Sequence, residues 1–431
     1  MRYALLLIAA MLFFTAPSFS ASVSGGIYSN TTWTQANSPY LVTGDIVVFD
    51  DYTLTIEPGV QVLFTGDYKI EVRGKFRAIG TDAANIDLKP ENPTTDKAFW
   101  NGIVFIGNTF AFQNQCIMEY CNISNAYYAV DMNIAYHGPY IFRHCNFTNN
   151  FNVNNDGGMG RVYFDQCKFI TNKTGISNFQ FGGTITNCFF DGNESFGSTA
   201  GDTMINCTFV NHPNIAVSPA GYTSNCELHD NNIAVNVSFN SNHKAFLNNK
   251  IWNNTVGMSI EGCWNQTNAV GNEICGNTQY NIKLNTANNC SIPNNCWCST
   301  DEVFIRSKIY DGYTDISKGL ITFTPIAGSC NLAGINTNID NEIAPASGNN
   351  VSVQVFPNPI PGNSFKMHST EQVSVNDIAL YDLMGKRINM TVKAAGSNDF
   401  EISANNEISG LYFLHVNTST SKHMVQKVIF E

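Results

Sequence analysis

The stretch NCFFDGN (187–193) places a cysteine, two phenylalanines, an Asp-Gly turn pair and an asparagine within seven residues. Its reading decides the fold, because it recurs. Registering the chain on Cys188 gives CNISNA at 121, CNFTNN at 145, CKFITN at 167, CFFDGN at 188, CTFVNH at 207 and CELHDN at 226. Two further copies, NKIWNN at 249 and NEICGN at 272, put Asn in the first place. The steps are 24, 22, 21, 19, 19, 23 and 23 residues. Position +2 is always large and apolar: Ile123, Phe147, Phe169, Phe190, Phe209, Leu228, Ile251 and Ile274. Position +5 is Asn in six of the eight frames, as Asn150, Asn172, Asn193, Asn231, Asn254 and Asn277. The other two frames carry Asn one place earlier, at Asn125 and Asn211.

Side chains of a strand alternate between faces, so positions 0 and +2 point inward together. The leucine-rich skeleton that shares this repeat length is absent. An Asn-rich corner then turns the chain into a second strand near +8, where pairs such as Ala129-Val130 and Ala234-Val235 sit. This is one coil of a parallel β-helix, with like residues stacked ~4.8 Å apart from coil to coil. The fold class is all-β. In this arrangement the cysteine column is a run of small buried hydrophobes. A serine at 188 is expected to leave its hydroxyl unpaired. The asparagine column is a ladder of stacked amides.

Composition agrees. Charged residues are 13% of the chain and hydrophobic residues 43%, with a net charge of −11. No basic cluster exists, which argues against nucleic acid. The first residues, MRYALLLIAAMLFFTAPSFSAS, combine Arg2, a short apolar run and small residues at Ser18 and Ser20. They read as a secretory signal peptide (1–20) cleaved near Ser20, and no other run is long enough to predict a transmembrane segment. Thirteen cysteines are an odd number, so at least one is free or intermolecular. Cys263, Cys275, Cys290, Cys296, Cys298 and Cys330 lie in loop-like sequence near the end of the helix, where an oxidising compartment favours disulfides among them, pairing open.

Before the repeats, LTIEPGVQVLF (54–64), YKIEVRGKFRAIGT (68–81) and FWNGIVFIG (99–107) are alternating strands broken by Gly and Pro. They resemble the first coils of secreted right-handed β-helix proteins of the pectate-lyase-like architecture. NNCWCSTDEVFIRSKIYDGYTDISKGLITFTPI (294–326) resembles the segment that closes such helices. That family usually has Gly where Cys298 stands, which implies an added local disulfide. The resemblance covers roughly residues 40–326 and implies a right-handed parallel β-helix, expected as a domain over 21–330.

Residues 331–350 lack periodicity and read as a linker, followed by several short alternating strands that suggest a small β-sandwich (351–431). VFPNP (355–359), ALYDLMGKRI (379–388), SGLYFLHV (409–416) and a terminal KVIF resemble the C-terminal (type A) sorting domain of type IX secretion cargo. This resemblance implies the type IX secretion machinery as a partner, and an extracellular or outer-cell-surface location.

Function is sought on the outward positions. Asp191, Glu227, His229, Lys250, Trp252 and Glu273 fall on one outward strand face of the later coils. Carboxylate, ammonium, imidazole and indole together suit a polysaccharide, and the simpler reading is a charge ladder on a solvated sheet. For catalysis, the best basic-acidic cluster is Arg143, His144 and Asp165. Hydrolysis needs two facing carboxylates, and the polygalacturonase set of an Asp pair, Gly-His-Gly and Arg-x-Lys does not occur. Pectate-lyase-type elimination needs a basic residue and usually a Ca²⁺ cluster of acids, for which the sequence gives no support. No metal and no cofactor is expected. The sequence therefore leans towards a non-catalytic surface protein, scaffold or adhesin, with a divergent polysaccharide lyase or glycoside hydrolase as the alternative.

Overall fold

The computed structural model describes residues 20–106, 116–134, 139–155, 162–177, 183–198, 203–219, 221–237, 245–262, 269–327, 353–356, 360–370, 372–382, 387–396, 398–406, 408–418 and 423–430. The leader ahead of Ser20, the segment 331–350, Cys263 and Cys330 lie outside these residues. The chain divides into two compact units, Met1–Cys330 and Asn331–Glu431.

The first unit is a parallel β-solenoid of about eleven turns, with one core running through it. Its strands form three faces. One face carries Cys121–Ser124, Asn146–Thr148, Lys168–Ile170, Phe189–Asp191 and their successors. A second face stacks eleven strands among the described residues, from Thr31–Trp33 to Ala269–Val270. The third includes Phe196–Ser198 through Tyr280–Leu284. The register is the one the repeat dictates: Phe147, Phe169, Phe190 and Phe209 are cross-strand partners. Their rings stack in turn at 5.2, 4.6 and 4.4 Å between centroids.

Each first-face strand is bracketed by two residues in the left-handed region. Before it stand Tyr120, His144, Gln166, Asn187, Asn206, Asn225, Asn248 and Gly271, and after it Asn125, Asn149, Thr171, Gly192, Asn211, Asp230, Asn253 and Gly276. Asn, Asp and Gly tolerate this conformation better than other residues, which explains why they recur at these places. Position −1 is thus a corner rather than one more outward strand position, as the alternation alone suggests. Thr171 (φ 52°) is the β-branched residue among these corners.

The residue after the second corner turns inward, and here the coils are tied together. The Oδ1 of Asn172 accepts from both the backbone N–H (2.9 Å) and the Nδ2 (3.0 Å) of Asn150. Asn193 does the same for Asn172, Asn254 for Asn231, and Asn277 for Asn254. Each Nδ2 also donates to the +2 carbonyl of the coil before, as Asn193 does to Phe169. His212 takes one rung. Its Nδ1 lies 3.0 Å from Asn231 Oδ1 and its Nε2 3.2 Å from Asn193 Nδ2. Asn231 offers an acceptor and Asn193 a donor, so the ladder selects the neutral ring with its proton on Nδ1. Burial lowers the His212 pKa to about 4.

Cys121, Cys145, Cys167, Cys188, Cys207 and Cys226 are free and buried in one column. Burial holds the Cys188 thiol well above its ordinary value, so it stays protonated and inert. Cys188 Sγ donates to Thr186 O (3.1 Å) and Phe164 O (3.7 Å), and its neighbours make equivalent bonds. A serine hydroxyl at 188 would therefore have acceptors, contrary to the expectation of an unpaired group. Where the cysteines end, Asn249, Asn272 and Asn295 continue the column as a second amide ladder. Cys275 and Cys298 are bridged across neighbouring coils. Cys298 has φ 54°, the conformation a glycine would adopt freely. Cys290 and Cys296 are also disulfide-bonded.

Among the described residues the second unit has two four-stranded antiparallel sheets around a core that includes Phe365, Ile378, Leu380, Ile402, Leu414 and Val428. No helix among the described residues is long and apolar enough to cross a membrane.

Two outcomes follow from this architecture. Thr171→Asn should stabilise the solenoid by about 0.5–1 kcal/mol in chemical denaturation, because Asn tolerates the left-handed corner. For His212, the folded pKa lies below the ordinary 6.5. Between these values the unfolded chain binds a proton that the folded chain refuses. Stability is therefore highest above pH ~6.5 and falls as pH drops towards 4, by about 3 kcal/mol from this group. Denaturation midpoints at neutral and mildly acidic pH should show the wild type losing more than His212→Asn, which keeps the rung without the titration. Equal losses would refute this role.

Candidate functional site

Glu227–His229, Lys250–Trp252 and Glu273–Ile274 are three successive strands of the first face, held flat by the corners on both sides. Their register brings Glu227, Lys250 and Glu273 side by side, and sets His229 beside Trp252. Five of the six sequence-predicted residues thus lie side by side, while Asp191 stands two strands before His229 with the buried Val210 between them. The His229 and Trp252 rings stack at 4.3 Å between centroids and 21° between planes. Lys250 Nζ lies 4.7 Å from the centre of the Trp252 ring. Lys250 makes no ion pair with either glutamate, although it stands between them.

A row of short polar contacts continues along the adjacent corner. His229 Nδ1 is 2.6 Å from Asp230 Oδ2, and Asp230 Oδ1 accepts from Asn253 Nδ2. Asp191 Oδ1 accepts from Asn211 Nδ2 at 2.9 Å. Beside this row lies a shallow, open depression lined by Asn211, Pro213, Asp230, Asn232, Asn253 and Thr255. Sequence reading missed these corner residues. Their signal was the recurrence of Asn and Asp one place before the ladder position, where a side chain leaves the turn towards solvent.

The remaining candidates lie elsewhere. Arg143 and Asp165 are register partners on the second face. Arg143 pairs with Glu119 at 2.8 Å rather than with Asp165. Asp165 accepts from Thr186 Oγ1 (2.7 Å) and Asn187 Nδ2 (2.9 Å). His144 occupies a left-handed corner and stacks on Tyr120 at 4.4 Å. Each of the three is thus engaged with a neighbour on the stack. Glu273 Oε1 sits 3.8 and 3.7 Å from the sulfurs of Cys275 and Cys298. These atoms converge as a metal site would, but the two sulfurs are bonded to each other and offer no thiolate.

Glu227 and Glu273 are two strands apart, which places them roughly 10 Å from each other along the stack. Carboxyl groups flanking a scissile bond stand ~5 Å apart for retaining hydrolysis and ~6.5–9.5 Å apart for inverting hydrolysis, facing each other across the sugar in both. These two lie in one plane with a lysine between them, and neither faces the other across a cleft.

Comparison with known proteins bears mainly on the second unit. Part of the chain is 33% identical over 82 residues to Protein bark beetle of Drosophila melanogaster, covering 19% of this chain and only 3% of that protein. A crystal structure of alginate lyase from Paenibacillus sp. str. FPU-7 aligns over 66% of this chain and 99% of its own, at 11% identity and a TM-score of 0.21. Residues 354–431 match the family described as secretion system C-terminal sorting domain. The chain is a parallel β-solenoid that carries this type IX sorting tail, which implies handling by the secretion machinery and a secreted or cell-surface location.

Proposed function

We propose that this protein is a non-catalytic, polysaccharide-binding surface protein whose solenoid presents the Glu227–Lys250–Glu273 face to its ligand. The proposed layout is a signal peptide (1–20, cleaved near Ser20), the solenoid (21–330), a linker (331–350) and the sorting domain (351–431). The observation that carries the reading is the register of that face. It aligns Glu227, Lys250 and Glu273 in one column and His229 and Trp252 in the next, beside an open depression. A repeating polymer suits a repeating row of donors and acceptors.

The stacking geometry sets the mode of contact. His229 covers one face of Trp252, so contact falls to the ring edges, the remaining ring face and the flanking charges. Charge sets the class. Asp191, Glu227, Asp230 and Glu273 outnumber Lys250, so a neutral or amine-bearing polymer is favoured over a polyuronate. The engagement of Arg143 with Glu119, and the coplanar placement of Glu227 and Glu273, favour binding over cleavage.

The test is affinity electrophoresis and calorimetry of the chain against neutral, amino-sugar and uronate polymers. Binding to a neutral or amino-sugar polymer should weaken about tenfold or more in Trp252→Ala and in Lys250→Ala, a loss of about 1.4 kcal/mol each. The polymer should be recovered at its original length. New reducing ends or unsaturated-uronate absorbance would instead establish a lyase or hydrolase. Unchanged affinity in both variants would remove this face from the account.

A further inference from the structure

The two ends of the solenoid are built differently. At the far end the helix Glu302–Ser307 buries Ile305, and Ile309–Tyr310 and Ile321–Thr322 pair onto preceding strands. Arg306 is held there by Asp311 at 2.9 Å. The near end has no such cover among the described residues. Ala21–Ile27 pairs with Tyr40–Val48 along one edge and with no strand along the other. Thr31–Trp33 likewise pairs only with Thr53–Ile56.

Burial shows the same opening. Ala21, Val23 and Ile27 turn towards the core yet stay only partly buried, while their partners Tyr40, Val42 and Val48 are 5, 0 and 0% exposed. Gly25 and Gly26 carry no side chain, and both are exposed, so main chain itself is accessible along this strand. Tyr28, which stacks on Phe49 at 4.5 Å, remains 66% exposed. Stacked repeats need a polar cap at each end, and exposed strand edges are normally blunted by charge, proline, a bulge or cover; Ala21–Ile27 has a bulge between Val23 and Gly25 and neither charge nor proline.

Composition indicates the occupant. Ser20 to Gly44 contains no Asp, Glu, Lys, Arg or His. In a two-fold contact every charge near the axis meets its own copy, so an uncharged end suits self-association and offers nothing to an oppositely charged partner. A two-fold axis also sets a strand antiparallel to itself, which is a regular ladder. We infer that the open N-terminal end is a homodimer surface. Ala21–Val23, the part of this strand ahead of its bulge, pairs antiparallel with the same segment of a second copy, and Ala21, Val23 and Ile27 complete their burial in the contact.

The test is sedimentation of the chain purified from cells that secrete it, with its N-terminus read by mass spectrometry, over a wide concentration range. The wild type should reach twice the monomer mass. Ser22→Lys and Ser24→Lys change exposed positions and leave the inward residues intact. They should weaken association about tenfold or more, with unchanged circular dichroism. Ser24→Ala, which adds no charge, should still dimerise. A wild type that stays monomeric throughout, or lysine variants that associate as strongly as the wild type, would overturn the inference.

Discussion

The solenoid depends on one repeated interaction, the buried carboxamide that accepts from the rung on one side while donating to the coil on the other. A primary amide suits this place because it offers two acceptor lone pairs and two donor protons. In rungs such as Asn172 and Asn254 both ends are used, the oxygen twice and the nitrogen twice or more. Buried polar groups are costly when unpaired and specifying when fully paired. The ladder therefore fixes the register of neighbouring coils, since a slip by one residue would bury an amide without partners. The cysteine column beside it adds small volume and weak thiol bonds to carbonyls, without charge.

From that constraint the outer surface follows. Because the inward residues fix each coil over the next, outward residues form columns of their own, spaced by the strand separation. Glu227, Lys250 and Glu273 are neighbours for this reason, although 23 residues separate each from the next. The same spacing brings aromatic rings into face contact, as in His229 and Trp252 or Tyr120 and His144. A regular stack thus converts side chains into ladders. It does not by itself create the converging, water-excluding geometry that catalysis uses.

Much of this was legible in the sequence. The Cys-x-Phe alternation gave the inward face, the Asn at +5 gave the corner, and the late cysteines gave the disulfide region in which Cys275 and Cys298 are joined. Alternation by itself would set position −1 outward on the strand, because a period of two says nothing of where a strand begins. Asn187 and its equivalents are left-handed corners, and the recurrence of Asn there was the available clue. The role of His212 was hidden because its frame carries Asn211 one place earlier, which looks like a shifted copy of the motif. Glu119, Arg143 and Asp165 all stand two places before the first position of their frames and are register partners on the second face, so the repeat places Arg143 between two carboxylates, but register alone does not say that it takes Glu119.

The most direct measurement is the stability of the Asn193→Ala chain in chemical denaturation. Removing this one amide takes away the acceptor for the backbone and side chain of Asn172, the donor to Phe169 O and the donor to His212 Nε2. The account predicts a loss of about 2–4 kcal/mol, since buried groups left unpaired each cost ~1–3 kcal/mol. A change within about 0.5 kcal/mol, the range of an ordinary surface substitution, would contradict the claim that the ladder holds the coils in register.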